Sequence, residues 1–76
     1  MPDRDLTDAV LDVVRERMEQ EGISGGRMAK TTGIGQTTLA GHLRGRGTPT
    51  LDDLTALADA LGTDLEGLLA DARRRL

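Results

Sequence analysis

Between Gly22 and Thr48 the chain carries Arg27, Lys30, Arg44 and Arg46 and no acidic residue, and near the middle of that window stand Gln36, Thr37 and Thr38. The cations suit a polyanion, because phosphate oxygens accept charge-assisted hydrogen bonds whatever the surrounding sequence. The amide and the hydroxyls suit a patterned hydrogen-bonding edge. A glutamine amide donates and accepts at once, which fits adenine, while a threonine hydroxyl serves several bases and its methyl can touch that of thymine. Covalent and metal chemistry find little to work with. His42 is the single histidine and there is no cysteine, so no nucleophile-base pair and no zinc-ligand set can be assembled, and no enzyme is expected.

The net charge of -3 conceals this window. Residues 1–21 carry seven acids against three arginines, residues 49–72 carry six acids and no base, and Arg73, Arg74 and Arg75 close the chain. A local basic surface is therefore compatible with an acidic whole. The absence of Phe, Tyr and Trp removes the stacking platforms on which single-stranded nucleic acid is usually held. No apolar run approaches the ~20 residues that span a bilayer, and the charged start Met1 to Asp5 is unlike a signal peptide. The expectation is a soluble cytoplasmic protein, 76 residues forming one domain, with no membrane partner.

Positioning these side chains falls to helices, since Leu, Ala, Val and Met dominate the apolar set. Leu6, Val10, Leu11, Val13, Val14 and Met18 recur at three- and four-residue spacing and predict a helix over Asp5 to Glu21, stopped by Gly22. Ser24 is the natural cap of a second helix from Gly25 to about Thr32, with Met28 and Ala29 inward. Gly33 ends it, Ile34 plugs the turn, and Gly35 precedes a third helix from Gln36 to Leu43, whose buried residues are expected to be Leu39 and Leu43. Arg44 to Pro49 reads as a loop. Thr50-x-x-Asp53 is a capping box ahead of Leu51, Leu54, Leu57, Ala58 and Leu61, and Gly62 ends that fourth helix. Thr63 or Asp64 caps a fifth, bearing Leu65, Leu68 and Leu69, with Arg73 to Arg75 in its last turn. The predicted fold class is all-α, a compact five-helix bundle.

Two short helices joined by Gly33-Ile34-Gly35 need a small residue at their crossing, and Ala29 supplies it. Small, Gly, apolar, apolar at these intervals is a helix-turn-helix, with its core over about 24–45. The run Met28-Ala29-Lys30-Thr31-Thr32-Gly33-Ile34-Gly35-Gln36-Thr37-Thr38-Leu39 resembles that of the Cro and phage-repressor (lambda repressor-like) family. Leu43-Arg44-Gly45, Thr48-Pro49-Thr50-Leu51-Asp52-Asp53-Leu54 and Ala58-Asp59-Ala60-Leu61-Gly62 are similar to its loop and fourth helix.

The resemblance implies a third helix lying in the major groove, with Gln36, Thr37, Thr38 and Gly41 toward base edges and Gln36 foremost. Phosphate contacts are expected from Ser24, Arg27, Lys30, His42, Arg44 and Arg46. The chain departs from the family at Gly25, where many members have a glutamine that binds phosphate and braces the recognition glutamine. His42 stands where an apolar anchor is usual, and is expected to be partly exposed. Met1 to Asp5 lacks a basic arm. The implied function is sequence-specific binding of double-stranded DNA by a transcriptional regulator, a phage or prophage repressor or Cro-like protein occupying an operator. The implied site is palindromic or pseudo-palindromic, bound by a homodimer for which the fifth helix is the expected contact, with no cofactor. The alternative is a protein-interaction module using the same scaffold without DNA.

Overall fold

The computed structural model describes residues 6–76, which form α1 (Leu6–Glu21), α2 (Gly25–Thr32), α3 (Gln36–Leu43), α4 (Leu51–Ala60) and α5 (Leu65–Arg73). The described residues contain no strand, and the all-α five-helix expectation holds. The expected first residue of α1, Asp5, and the Met1 to Asp5 segment lie outside the described residues.

Each boundary has a local cause. Ser24 Oγ accepts from the Arg27 amide at 3.1 Å to start α2. Thr50 and Asp53 exchange side-chain-to-backbone bonds at 3.0 and 3.3 Å, the reciprocal cap foreseen for α4. At α5 the open choice falls to Asp64, whose Oδ1 accepts from the Gly67 amide at 2.7 Å. The C-termini of α1, α3 and α4 close in the same paired way. Ile23 donates to the Met18 carbonyl, Arg46 to Gly41 and Thr63 to Ala58, each beside a glycine with positive φ.

The core takes one stripe from every helix: Val10, Val13 and Val14 from α1, Met28 from α2, Leu39 from α3, Leu57 from α4 and Leu68 from α5 are all fully buried. α1 packs mainly on α5, α2 packs on α3 and α4, and α1 also meets α3, which mounts the third helix on the body from two sides. Ile23, Ile34, Leu65 and Leu69 are partly buried against this core.

Three expectations need correction. Leu51, grouped by spacing with Leu54, Leu57, Ala58 and Leu61, is 72% exposed, since it is the first residue of α4 and no neighbour covers it. On α3 the inward pair is Leu39 and His42, three apart; Leu43 lies at the flank and is only half-buried. Arg73 to Arg75 do not share one helical turn: α5 ends at Arg73 and Arg74 caps it. Arg74 pairs with Asp71, and Arg75 reaches across to Glu16 of α1, holding that carboxyl below its usual range through the hydrogen bond. Arg17 of α1 pairs back with Asp71 at 2.5 Å, so the α1–α5 contact is bordered by charges.

The turn between α2 and α3 rests on Gly33, whose φ of 78° lies in the left-handed region, with its amide donating to Ala29 O at 2.9 Å. Thr32 finishes it, since its hydroxyl donates to Met28 O at 2.8 Å and accepts from the Ile34 amide at 3.2 Å. Gly33→Ala is expected to destabilise the domain by about 1–2 kcal/mol, because an L-residue is strained there. Gly25→Ala has open space around the new Cβ and a compatible φ, and should instead stabilise by roughly 0.4–1 kcal/mol. Urea unfolding midpoints of the two variants check the opposite signs.

Candidate nucleic-acid interface

The first turn of α3 is open. Gln36, Thr37 and Thr38 are exposed, while Leu39 directly behind them is buried and fixes the helix to the body. Gly35 makes no side-chain cap, so the amides of that turn are not taken up by a neighbouring side chain before Gln36 begins. The Gln36 amide lies over α2: a Cβ built on Gly26 would sit 3.5 Å from Gln36 Nε2. The small residue at Gly26 thus leaves the Gln36 amide room beside α2, a proximity no side-chain pattern in the sequence announces.

Gln36, Ala40 and Arg44 follow one another at four-residue spacing, and they line one shallow groove with Gly25 at the start of α2. Arg15 of α1 borders the same groove. The sequence does not single it out, since α1 carries both Arg15 and Arg17 among its acids. Arg15 is paired with Asp12, which leaves its side chain exposed at the rim.

Arg27, Lys30, Arg44 and Arg46 are all exposed. Among the described residues none of these four takes part in an ion pair, whereas Arg15, Arg17, Arg74 and Arg75 are each matched to a carboxylate. Among the described residues unpaired cations therefore gather on α2 and the α3–α4 loop, with Arg73 a further one at the end of α5, whereas the paired ones are Arg15 and Arg17 of α1 and Arg74 and Arg75 after α5. Ser24 is exposed with its hydroxyl committed to the Arg27 amide, which orients the start of α2.

Gly41 is half-buried on α3, and a Cβ there would meet Arg46 Cβ at 3.7 Å, so the stem of Arg46 folds back onto the third helix. His42 differs from expectation. Its ring is 8% exposed instead of partly open, because the helix turns it inward beneath the loop, where Nδ1 lies 3.1 Å from the Arg46 carbonyl oxygen. Among the described residues no buried side-chain nitrogen or oxygen is left without a partner.

A surface of this form needs only an exposed polar turn, free cations on both sides and a rigid mount, and the last of these is the α2–turn–α3 unit. The model of a family described as a helix-turn-helix domain matches residues 11–72, more than three quarters of the chain. The chain belongs to this DNA-binding helix-turn-helix family. No curated protein and no solved structure gives a significant match. The matched span of the helix-turn-helix domain begins inside α1 and ends inside α5, so it takes in the whole groove together with Arg27, Lys30, Arg44 and Arg46. Among the described residues there is no cluster of ligands able to hold a metal, and no helix is long and apolar enough to cross a membrane.

Proposed function

We propose that this helix-turn-helix domain binds double-stranded DNA sequence-specifically and regulates transcription by occupying an operator, as a repressor or Cro-like protein of phage or prophage type. The supporting observation is the exposed first turn of α3 between cations that no protein carboxylate neutralises. In this reading Gln36, Thr37 and Thr38 face base edges in the major groove, and Gly41, half-buried beside Arg46, meets them further along the same helix. Ser24, Arg27, Lys30, Arg44 and Arg46 hold the phosphates on either side, while Arg15, paired with Asp12, only borders the groove. His42 contributes from within. Regulation by occupancy is steric and asks for no cofactor and no catalysis.

A reading head of one short helix covers few base pairs, so the proposal includes a homodimer on a palindromic or pseudo-palindromic site. α5 supports it. Glu66, Leu69, Ala70 and Arg73 share one shallow patch, and Glu66 and Arg73 stand equally far along the sequence from the Leu69–Ala70 midpoint. An antiparallel second copy would place each Glu66 against Arg73 of the partner subunit.

Gln36→Ala is expected to lower discrimination between the preferred duplex and a random one by about 1–3 kcal/mol while the salt dependence of binding stays unchanged. Fluorescence anisotropy with both duplexes over a salt series measures the two quantities. Unchanged discrimination would remove Gln36 from the base-reading role, and no binding to either duplex by the wild-type protein would favour the interaction-module alternative.

A further inference from the structure

We propose that His42 is a positioning residue: its buried ring clasps the α3–α4 loop and so sets where Arg44 and Arg46 meet the phosphate backbone. The proposal rests on the DNA-binding reading above, and it concerns the one buried polar residue of the described chain.

Several independent observations converge on the loop. A carbonyl oxygen only accepts, so the 3.1 Å contact between Nδ1 and Arg46 O requires the proton on Nδ1. The Arg46 amide is held from the other side, donating to Gly41 O at 2.7 Å, while Gly45, with φ 86°, donates to His42 O at 3.0 Å. Both backbone polar groups of Arg46, its N–H and its carbonyl, are thus tied to α3. Gly47 completes the clasp. Its φ is 68°, and a Cβ there would lie 3.5 Å from His42 Cε1 and 3.6 Å from Nδ1, so a side chain at this position would meet the edge of the ring that bonds the loop.

An apolar side chain at position 42 could fill the same volume but could not reach the Arg46 carbonyl. Volume alone would anchor α3. The hydrogen bond adds something that core packing does not, namely a fixed direction for the loop between Leu43 and Pro49, and Pro49 is itself buried at the loop's far end. Two unpaired arginines on a loop held at both ends lose less freedom on meeting phosphate than they would on a loose one.

The test compares His42→Leu, which keeps the buried volume and loses the donor, with His42→Asn, whose side-chain amide returns a donor near the place of Nδ1. Amide hydrogen exchange at Arg46 and Gly47, thermal unfolding, and affinity and salt slope on a selected duplex are measured for each. The expected result is faster loop exchange in His42→Leu, a roughly tenfold loss of affinity and a salt slope shallower by up to about two phosphate contacts, with His42→Asn moving all three back toward wild type. Nitrogen NMR of the wild-type imidazole should show the Nδ1-protonated tautomer, a readout that stands even if His42→Leu fails to fold. Protection of Arg46 and wild-type salt slope retained in His42→Leu, or the Nε2-protonated tautomer in the wild type, would overturn the clasp. A wild-type protein that binds no duplex, with loop exchange still governed by residue 42, would overturn the DNA-binding reading and the consequence for phosphate while leaving the clasp itself standing.

Discussion

The Arg44→Ala/Arg46→Ala double variant is expected to bind every duplex roughly 10- to 50-fold more weakly at physiological salt, with the slope of log affinity against log salt shallower by about 1.8. Each arginine that neutralises a phosphate releases about 0.9 of a counterion, and both are exposed and unpaired in the free protein, so no internal ion pair is given up on binding. The loss should be uniform across sequences. Anisotropy titrations from low to high salt check it, and a loss confined to the preferred duplex would reassign these residues to base reading. Stability should change little, since surface substitutions of this kind stay within about 0.5 kcal/mol.

Leu68→Ala is expected to act in the opposite sense, leaving the DNA-facing surface intact and removing the fold that carries it. Leu68 is fully buried on α5, beneath the α1 and α4 faces that pack there. Truncating such a leucine costs about 2–5 kcal/mol from lost transfer energy and the cavity left behind. A domain of 76 residues has a total stability of roughly 4–11 kcal/mol, so the variant should be largely unfolded well below the wild-type melting temperature. Circular dichroism at 222 nm is the measurement; a melting temperature within a few degrees of wild type would mean that α5 contributes far less to the core than its burial indicates.

The parts of the fold legible in the sequence were those fixed within one or two turns of chain. Gly33 and Gly62 mark helix ends because only glycine enters the left-handed region without strain, and Thr50 with Asp53 marks a helix start because both cap partners lie three residues apart. What escaped depends on distance or on residue type. His42 was expected near the surface because it is polar, yet the helix repeat sets 39 and 42 on the same inward face, and a hydrogen bond supplied by the loop satisfies the ring. Leu51 shows the converse, an apolar residue at the right spacing that no neighbour covers. The Arg75–Glu16 and Arg17–Asp71 pairs join opposite ends of the chain, and unlike the three-residue spacings of Asp12–Arg15 and Asp71–Arg74 they leave no local pattern.

The candidate surface divides along the same line. Gln36 and the loop arginines stood out by type and place, and the absence of acids over residues 22–48 reflects a surface whose cations stay free in the fold. The place of Arg15 and the nearness of Gln36 to Gly26 depend on how α1 and α2 meet α3, which only the packed structure supplies.

The central claim is that the first turn of α3 and its flanking cations form the surface that meets duplex DNA. Backbone amide shifts followed by NMR while a random-sequence duplex is titrated in at low ionic strength test it most directly. The account predicts shifts concentrated at Ser24 to Arg27, Gln36 to Thr38 and Arg44 to Gly47, reversed by added salt, with Glu16 and Asp71 unmoved. Shifts centred on the paired α1–α5 face, or none at any duplex concentration, would contradict it.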